Sequence, residues 1–147
     1  MKFPPFSLPA SDGATYTEKN FSKGVYVLYL YPKDLTSGCT IEAQNFRDLK
    51  KDFEKIGVQV FGLSKDPIRS HEKFCTQESL NFPLLSDENT ELIQALGAWQ
   101  EKSMYGRKYM GIDRSTFVIQ DGAIVREWRK VSVTGHAQEV LEFCQTL

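Results

Sequence analysis

A polar turn at residues 32–39, Pro-Lys-Asp-Leu-Thr-Ser-Gly-Cys, restricts the possible folds more than any other stretch of the chain. The run before it, residues 25–31, is apolar or aromatic at every position, which predicts a central strand covered on both faces. After Cys39 the apolar residues recur at helical spacing. The chain therefore passes from a strand directly into a helix, with a cysteine near the first helical turn.

Cys39 occupies the kind of position in which a thiol is made reactive. A helix N-terminus carries partial positive charge and unpaired N–H groups, and both favour a thiolate over a thiol. Thr36 can place a hydroxyl beside the sulfur, and Gly38 lets the backbone come close. Glu42 lies one turn further along and could orient a nearby cation. These features favour a reactive cysteine over the simpler interpretation of a small core residue in an ordinary βα unit.

Hydrophobic spacing predicts alternating helices and strands in the middle of the chain. Asp66-Pro67 is a favourable helix start, since aspartate caps the free N–H groups and proline suits the first helical position. The predicted elements are a helix at 39–56, a strand at 58–64, a helix from about 66 to 78, an extended piece at 82–85 and a short helix at 88–96.

Two turn signals predict β-hairpins. Asp12-Gly13 separates two short extended pieces near the N-terminus, and Asp121-Gly122 separates two longer strands near the C-terminus. Residues 97–113 are rich in aromatic and basic side chains, and we expect a long connection there, either functional or a covering flap. An amphipathic helix at 134–146 is expected to end the chain.

Strand–helix–strand crossings followed by a hairpin and a final helix imply an α/β fold. The expected architecture is thioredoxin-like, with a mixed central sheet, helices on both faces and an additional N-terminal β-hairpin. With 147 residues and no interdomain linker, the chain is expected to form one domain, residues 1–147, around one sizeable core.

Composition restricts the partners and the compartment. The formal net charge is −1 and there is no long basic run, so neither nucleic acid nor an anionic membrane is an expected partner. Residues 1–9 contain three prolines and no long apolar stretch, which predicts neither a signal peptide nor a membrane span. Three cysteines, an odd number, do not suggest a secreted disulfide framework. We therefore expect a cytoplasmic protein.

The turn also carries a family resemblance. Its Pro-x-x-x-Thr-x-x-Cys spacing, which ends at Cys39, resembles the signature of peroxiredoxins. The longer run at 29–43 resembles the bacterioferritin-comigratory-protein or peroxiredoxin Q branch, and further matches at 82–87 and 111–119 extend the resemblance to essentially the whole chain. The resemblance implies a thioredoxin-like fold and a thiol-dependent peroxidase that reduces hydrogen peroxide and organic hydroperoxides.

The resemblance implies a role for each residue of the expected site. Cys39 would attack the peroxide O–O bond as a thiolate and become a sulfenic acid. Thr36 would hydrogen-bond the peroxide, and Pro32 would shield the pocket. Arg114, just before the strand that begins at Thr116, matches the family's arginine-bearing strand and would hold both thiolate and peroxide. A fixed guanidinium also suits the negative charge that develops on the leaving oxygen.

Cys75 is predicted to be the resolving cysteine. In much of the branch that the chain resembles, this cysteine lies five residues after the peroxidatic one, but here that position is Gln44. Other members carry it on the following helix, where Cys75 lies 36 residues beyond Cys39 (75 − 39). The resemblance thus implies an intramolecular Cys39–Cys75 disulfide that thioredoxin or a similar dithiol protein reduces. The alternative is a one-cysteine peroxiredoxin in which Cys75 is structural.

Other functional classes remain as competing hypotheses. A Cys–His hydrolase or transferase would use Cys39 with His71 or His136 as the base, and a non-enzymatic thioredoxin-like or metal-binding module is the third class. His71 and Cys75 lie one turn apart, but without a close Cys-x-x-Cys pair the metal signal is weak, so we expect neither a metal nor another cofactor. Cys144 is expected in the core. No exposed apolar stripe requires a dimer, so we expect a monomer.

Overall fold

The computed structural model describes residues 1–147 and contains nine strands, five α-helices and one short 3-10 helix at Glu18–Phe21. In chain order these are β1 Ser7–Pro9, β2 Thr15–Thr17, β3 Val25–Leu30, α1 Ser37–Asp48, α2 Lys50–Lys55, β4 Val58–Ser64, α3 Ile68–Glu78, β5 Leu84–Ser86, α4 Glu91–Ala95, β6 Trp99–Met104, β7 Arg107–Ile112, β8 Ser115–Gln120, β9 Ala123–Trp128 and α5 His136–Cys144. No helix combines the length and the apolar character that a bilayer crossing requires.

β3 lies at the centre of a five-stranded sheet with the order β5-β4-β3-β8-β9. It pairs in parallel with β4 and antiparallel with β8, so the sheet is mixed, as the sequence predicts. Leu30 at the end of β3 pairs with Ser115 at the start of β8. This register brings the residue before β8, Arg114, to the sheet edge at which the turn toward Cys39 begins.

Two hydrophobic layers cover the two faces of the sheet. Val27 and Tyr29 of β3 belong to one layer, with side chains of α1, α2, α3 and α5. Leu28 and Leu30 belong to the other layer, with side chains of α4, the N-terminal segment and the 3-10 helix. Because alternate side chains of a strand point to opposite faces, these memberships confirm a sheet with helices on both faces.

Both predicted hairpins are present. β1 and β2 pair antiparallel around the Asp12-Gly13 turn, and β8 pairs antiparallel with β9 around Asp121-Gly122. The φ angles of Asp121 and Gly122 are 49° and 82°, as a two-residue hairpin turn requires. The expected connection at 97–113 is wrong: β6 and β7 form a third hairpin there, over Trp99–Ile112.

The bounds of several helices differ from the predicted ones. The single helix expected over 39–56 begins at Ser37 and is divided at Leu49, whose ψ of 1° is not helical, so that α1 and α2 are separate. α3 begins at Ile68 with Pro67 as its N-cap, because the carboxylate of Asp66 accepts hydrogen bonds elsewhere. α5 begins only at His136, since Gly135 adopts a left-handed conformation with φ of 72°.

Candidate active site

The turn between β3 and α1 holds Cys39 at the third residue of α1. Thr36 is the N-cap, and its carbonyl accepts the backbone N–H of Thr40 at 2.8 Å. Leu35 has a φ of 65°, which a residue with a branched side chain adopts only when its surroundings hold it there. The result is a fixed turn that buries Cys39 to 1% exposure.

Arg114 contacts Cys39 from the neighbouring edge of the sheet. Its Nη2 donates to Sγ of Cys39 at 3.3 Å, and its Nη1 donates to Oε1 of Glu42 at 2.6 Å. Two bonds to consecutive turns of α1 fix the planar guanidinium, and its charge stabilises negative charge on the sulfur. A Cβ at Gly38 would lie 3.4 Å from Nη2, so the glycine leaves room for this approach.

Glu42 is the residue that orients Arg114. Its side chain is buried, and its second carboxylate oxygen, Oε2, has no hydrogen-bond partner. Burial raises the pKa of Glu42 to about 7, and the guanidinium of Arg114 opposes this rise. Burial alone would lower the pKa of Arg114, but the charges of Glu42 and Cys39 raise it above its ordinary value. Arg114 therefore remains a cation.

Pro32 and Thr36 lie in the same turn as Cys39. Pro32 is half-buried just after β3, and Thr36 is exposed. The hydroxyl of Thr36 donates to the carbonyl of Lys33 at 2.8 Å and not to the cysteine. Since its proton is used inside the turn, the oxygen of Thr36 keeps lone pairs that can accept a hydrogen bond from a ligand.

Cys75 is not bonded to Cys39. It is half-buried on α3, and its thiol donates to Oγ of Ser11 at 3.5 Å. Burial raises the pKa of Cys75, against the effect of the Ser11 hydrogen bond. The thiol lines an open pocket of about 320 Å³ together with the first hairpin turn and residues 80–83. All three cysteines of the chain are free thiols in this structure.

Neither histidine contacts Cys39. His71 is buried between Asp34, at 2.7 Å, and the backbone carbonyl of Leu85, at 2.9 Å. His136 is buried with its Nε2 at 2.7 Å from Oγ1 of Thr116. Burial lowers the pKa of His136. A hydrolase or transferase needs a base within hydrogen-bond reach of its nucleophile, and this geometry does not supply one.

The possible metal ligands are not the pair of His71 and Cys75 that the sequence suggested. The potential ligand atoms of Asp34, Asp66 and His71 lie within 4.8 Å of one another, and no cysteine is among them. Both ring nitrogens of His71 are engaged by oxygen atoms, so the ring is not free to ligate a metal with Cys75. Asp34 was not predicted, because its only signal in the sequence is an acidic residue inside a reactive turn.

Comparison with known proteins agrees with this geometry. The model of the AhpC/TSA family matches residues 1–128. Peroxiredoxin Bcp of Xanthomonas campestris is 44% identical over 139 residues, which cover 92% of this chain and 87% of the relative. Peroxiredoxin Bcp of Bacillus subtilis is 40% identical over 143 residues, which cover 97% of this chain and 91% of the relative.

Solved structures extend the likeness to the fold. A structure of Xanthomonas campestris peroxiredoxin Q has a TM-score of 0.92 and 40% identity, and the match covers 96% of this chain and 90% of that one. A structure of the bacterioferritin comigratory protein of the same organism, described for its alkyl peroxide reduction activity, has a TM-score of 0.91 and 39% identity, with coverage of 96% and 90%.

Two further structures of Xanthomonas campestris peroxiredoxin Q carry a cysteine-to-serine substitution, at positions 36 residues apart (84 − 48). Each has a TM-score of 0.92 and 39% identity to this chain. With a matching family model, relatives of 40% or more identity over most of the chain, and the same thioredoxin-like architecture, the chain belongs to the AhpC/TSA family. Within that family it is a peroxiredoxin of the Bcp or peroxiredoxin Q branch, an oxidoreductase with thiol-dependent peroxidase activity.

Proposed function

We propose that this protein reduces hydrogen peroxide and organic hydroperoxides with Cys39 as the nucleophile, and that Cys75 resolves the oxidised Cys39. Thioredoxin or a similar dithiol protein then reduces the resulting disulfide. The observation that carries the proposal is the guanidinium of Arg114, which is held by Glu42 at 2.6 Å and donates to the sulfur of Cys39 at 3.3 Å.

The first half-reaction is a nucleophilic substitution at oxygen. The thiolate of Cys39 forms an S–O bond as the O–O bond breaks, which leaves a sulfenic acid and releases hydroxide or an alkoxide that takes up a proton. The leaving oxygen gains negative charge in the transition state, and Arg114 is a fixed donor for it. In this role Thr36 accepts a hydrogen bond from the hydroperoxide, while Pro32 shields the pocket from water.

The second half-reaction joins the two cysteines. The thiol of Cys75 attacks the sulfenic sulfur of Cys39, an S–S bond forms, and water leaves. The separation of the two residues, 36 positions (75 − 39), equals that of the two substituted cysteines in Xanthomonas campestris peroxiredoxin Q, which supports this pairing. A dithiol reductant then regenerates both thiols by thiol–disulfide exchange.

We expect the disulfide to require a structural rearrangement. Its Cα atoms must come within about 7 Å, and two cysteines on separate packed helices seldom meet that limit. In the reduced protein the thiol of Cys75 is bonded to Ser11 and that of Cys39 to Arg114, so both contacts must break. We expect the start of α1, residues 66–81, or both to unwind after Cys39 is oxidised. We further propose that residues 1–147 act as one domain, because both hydrophobic layers share one sheet, and that the protein functions as a monomer.

Cys75→Ser tests the proposed resolving step. The variant should react once with peroxide, accumulate Cys39 sulfenic acid and lose thioredoxin-dependent cycling, because the thiol proposed to displace the hydroxyl is absent. The measurement is NADPH oxidation coupled through thioredoxin reductase, together with trapping of the sulfenic acid. In the unmodified protein, one equivalent of peroxide should produce linked Cys39 and Cys75 peptides after digestion without reductant. Full thioredoxin-linked cycling in Cys75→Ser would instead indicate a one-cysteine enzyme with a structural Cys75.

Cys144 is expected to have no part in turnover. It lies at the end of α5 in the core, and burial raises the pKa of its thiol to about 11, so it carries little thiolate at neutral pH. Cys144→Ser should lower the free energy of unfolding by about 1–3 kcal/mol through the buried hydroxyl, and peroxide turnover should persist. Urea denaturation and the coupled assay measure the two effects. A disulfide mapped to Cys144 in the oxidised monomer would contradict this prediction.

A further inference from the structure

A buried hydrogen-bonded pair, Asp34 and His71, joins the turn before Cys39 to the helix that carries Cys75. We propose that Asp34 and His71 are positioning residues for the resolving step. Their pair holds α3 against the active-site turn, and its opening sets the rate at which Cys75 reaches the oxidised Cys39. The inference rests on the proposed role of Cys75 as the resolving residue, and adds to it the contact that must open.

The side chain of Asp34 has three hydrogen-bond partners. The hydroxyl of Tyr31 donates to its Oδ1 at 2.5 Å, and the hydroxyl of Ser70 donates to its Oδ2 at 2.8 Å. Nδ1 of His71 lies 2.7 Å from the same Oδ2. Two of these partners are residues of α3, and the side chain of Asp34 is only 1% exposed.

His71 is held at both ring nitrogens. Its Nε2 lies 2.9 Å from the carbonyl oxygen of Leu85, which can only accept a hydrogen bond. Its Nδ1 lies 2.7 Å from Oδ2 of Asp34 and 3.4 Å from the hydroxyl of Tyr31. The ring is fully buried. A buried pair of this kind is costly to break, because loss of one partner leaves polar atoms of the other without a hydrogen bond.

The active-site turn has a second anchor that does not depend on this pair. The backbone N–H of Asp34 donates to Oδ2 of Asp66 at 2.9 Å, and the hydroxyl of Ser64, at the end of β4, donates to the same oxygen at 2.6 Å. Loss of the Asp34 carboxylate therefore frees α3 from the turn, while the turn remains attached to the sheet. The pair can thus affect the resolving step without altering the contact between Cys39 and Arg114.

Two other polar contacts, between α1 and the end of α3, are weaker. Nε2 of Gln44 donates to Oε1 of Glu78 at 2.8 Å, and Arg47 donates to the backbone carbonyl of Glu78 at 2.7 Å. Both contacts are only partly buried, so water can replace them at small cost. Of the two polar attachments of α3 to the active-site side, the Asp34–His71 pair is the stronger barrier to release.

The kinetic test compares Asp34→Asn with the matched control Gln44→Ala, which weakens the other attachment. In Asp34→Asn one carboxylate oxygen becomes an amide nitrogen that cannot accept a hydrogen bond, so the contacts with Ser70 and His71 are weakened. The rate constant of disulfide formation after a pulse of peroxide should therefore rise roughly tenfold. The rate constant for oxidation of Cys39 should change less than about threefold, because the backbone anchor remains. Gln44→Ala should change either rate constant less than about twofold. Stopped-flow tryptophan fluorescence separates the two steps.

Hydrogen exchange of the reduced protein supplies a measurement that needs no peroxide. Amides of α3 should exchange faster in Asp34→Asn than in the unmodified protein, and those of α5 should not. Ser70→Ala removes a single donor to Asp34, so it serves as the milder variant. It should also raise amide exchange in α3 and the rate constant of disulfide formation, but by less than Asp34→Asn. A purely structural role would instead raise exchange in α5 as well, and would slow both chemical steps together.

The outcomes separate this inference from the proposed function. Unchanged exchange in α3, or disulfide formation no faster than in the unmodified protein, would overturn the role of the pair while leaving the Cys39–Cys75 chemistry intact. Absence of a Cys39–Cys75 disulfide in the unmodified protein after one equivalent of peroxide would overturn both, before any variant is compared. Faster resolution together with faster exchange confined to α3 would establish the pair as a positioning element.

Discussion

Peroxide reduction should fall to the uncatalysed rate when Cys39 is replaced by serine. A serine hydroxyl is barely ionised at neutral pH and is a poor nucleophile toward an O–O bond. The substitution exchanges one atom, at a site that is 1% exposed and contacts Arg114, so the surrounding fold should remain. The measurement is peroxide consumption by the reduced protein under single-turnover conditions, with circular dichroism as the check on folding.

Cys144→Ser is the matched control for this experiment, because it makes the same chemical change at another buried cysteine. Cys144→Ser should retain peroxide turnover. If turnover is lost only in Cys39→Ser, then Cys39 is the nucleophile. Appreciable turnover in Cys39→Ser would move the nucleophile to another residue, and Cys75 would then be the next thiol to test.

Arg114→Lys should impair oxidation of Cys39 strongly even though the charge is kept. Arg114 bonds two partners at once, Glu42 at 2.6 Å and Cys39 at 3.3 Å, through two nitrogens of one rigid plane. A lysine ammonium is a single point on a flexible stem and cannot hold both partners in this geometry. The expected loss is about 2–4 kcal/mol of transition-state stabilisation, by analogy with removal of one preorganised donor. Stopped-flow oxidation by hydrogen peroxide measures it.

Arg126→Lys is a suitable control for this change. Arg126 lies on β9, where its guanidinium packs over the rings of Trp128 and Phe143, away from the thiol of Cys39. The variant Arg126→Lys should oxidise Cys39 with a rate constant close to that of the unmodified protein. Near-normal rate constants in both Arg114→Lys and Arg114→Ala would show that the guanidinium does not stabilise the transition state.

Local patterns in the sequence were sufficient to predict most of the elements of the fold. The apolar run at 25–31 predicted the central strand, and the Asp-Gly pairs predicted two hairpins, because periodicity and turn chemistry act over a few residues. The hairpin β6–β7 was missed for a physical reason. Its turn is Tyr105-Gly106, in which a tyrosine adopts a φ of 53°, and most of its strand residues are exposed, so neither a standard turn signal nor an alternating pattern marks it.

The site was only partly predictable. Cys39, Thr36 and Pro32 belong to one local turn, and the pairing of Leu30 with Ser115 then brings Arg114 beside the cysteine. That register was not readable from the sequence, where the expectation for Arg114 came from a resemblance. The pair of Asp34 and His71 was not foreseen, because its members are 37 residues apart and a buried polar contact leaves no periodic pattern.

The burial of the Cys39 sulfur bears on which oxidised form a protein reductant would meet. A thiol that is 1% exposed offers almost no surface to another protein. On the proposed mechanism, a protein reductant would therefore reach this sulfur only after oxidation has opened the site. The disulfide, and not the buried sulfenic acid, would then be the form that the reductant acts on.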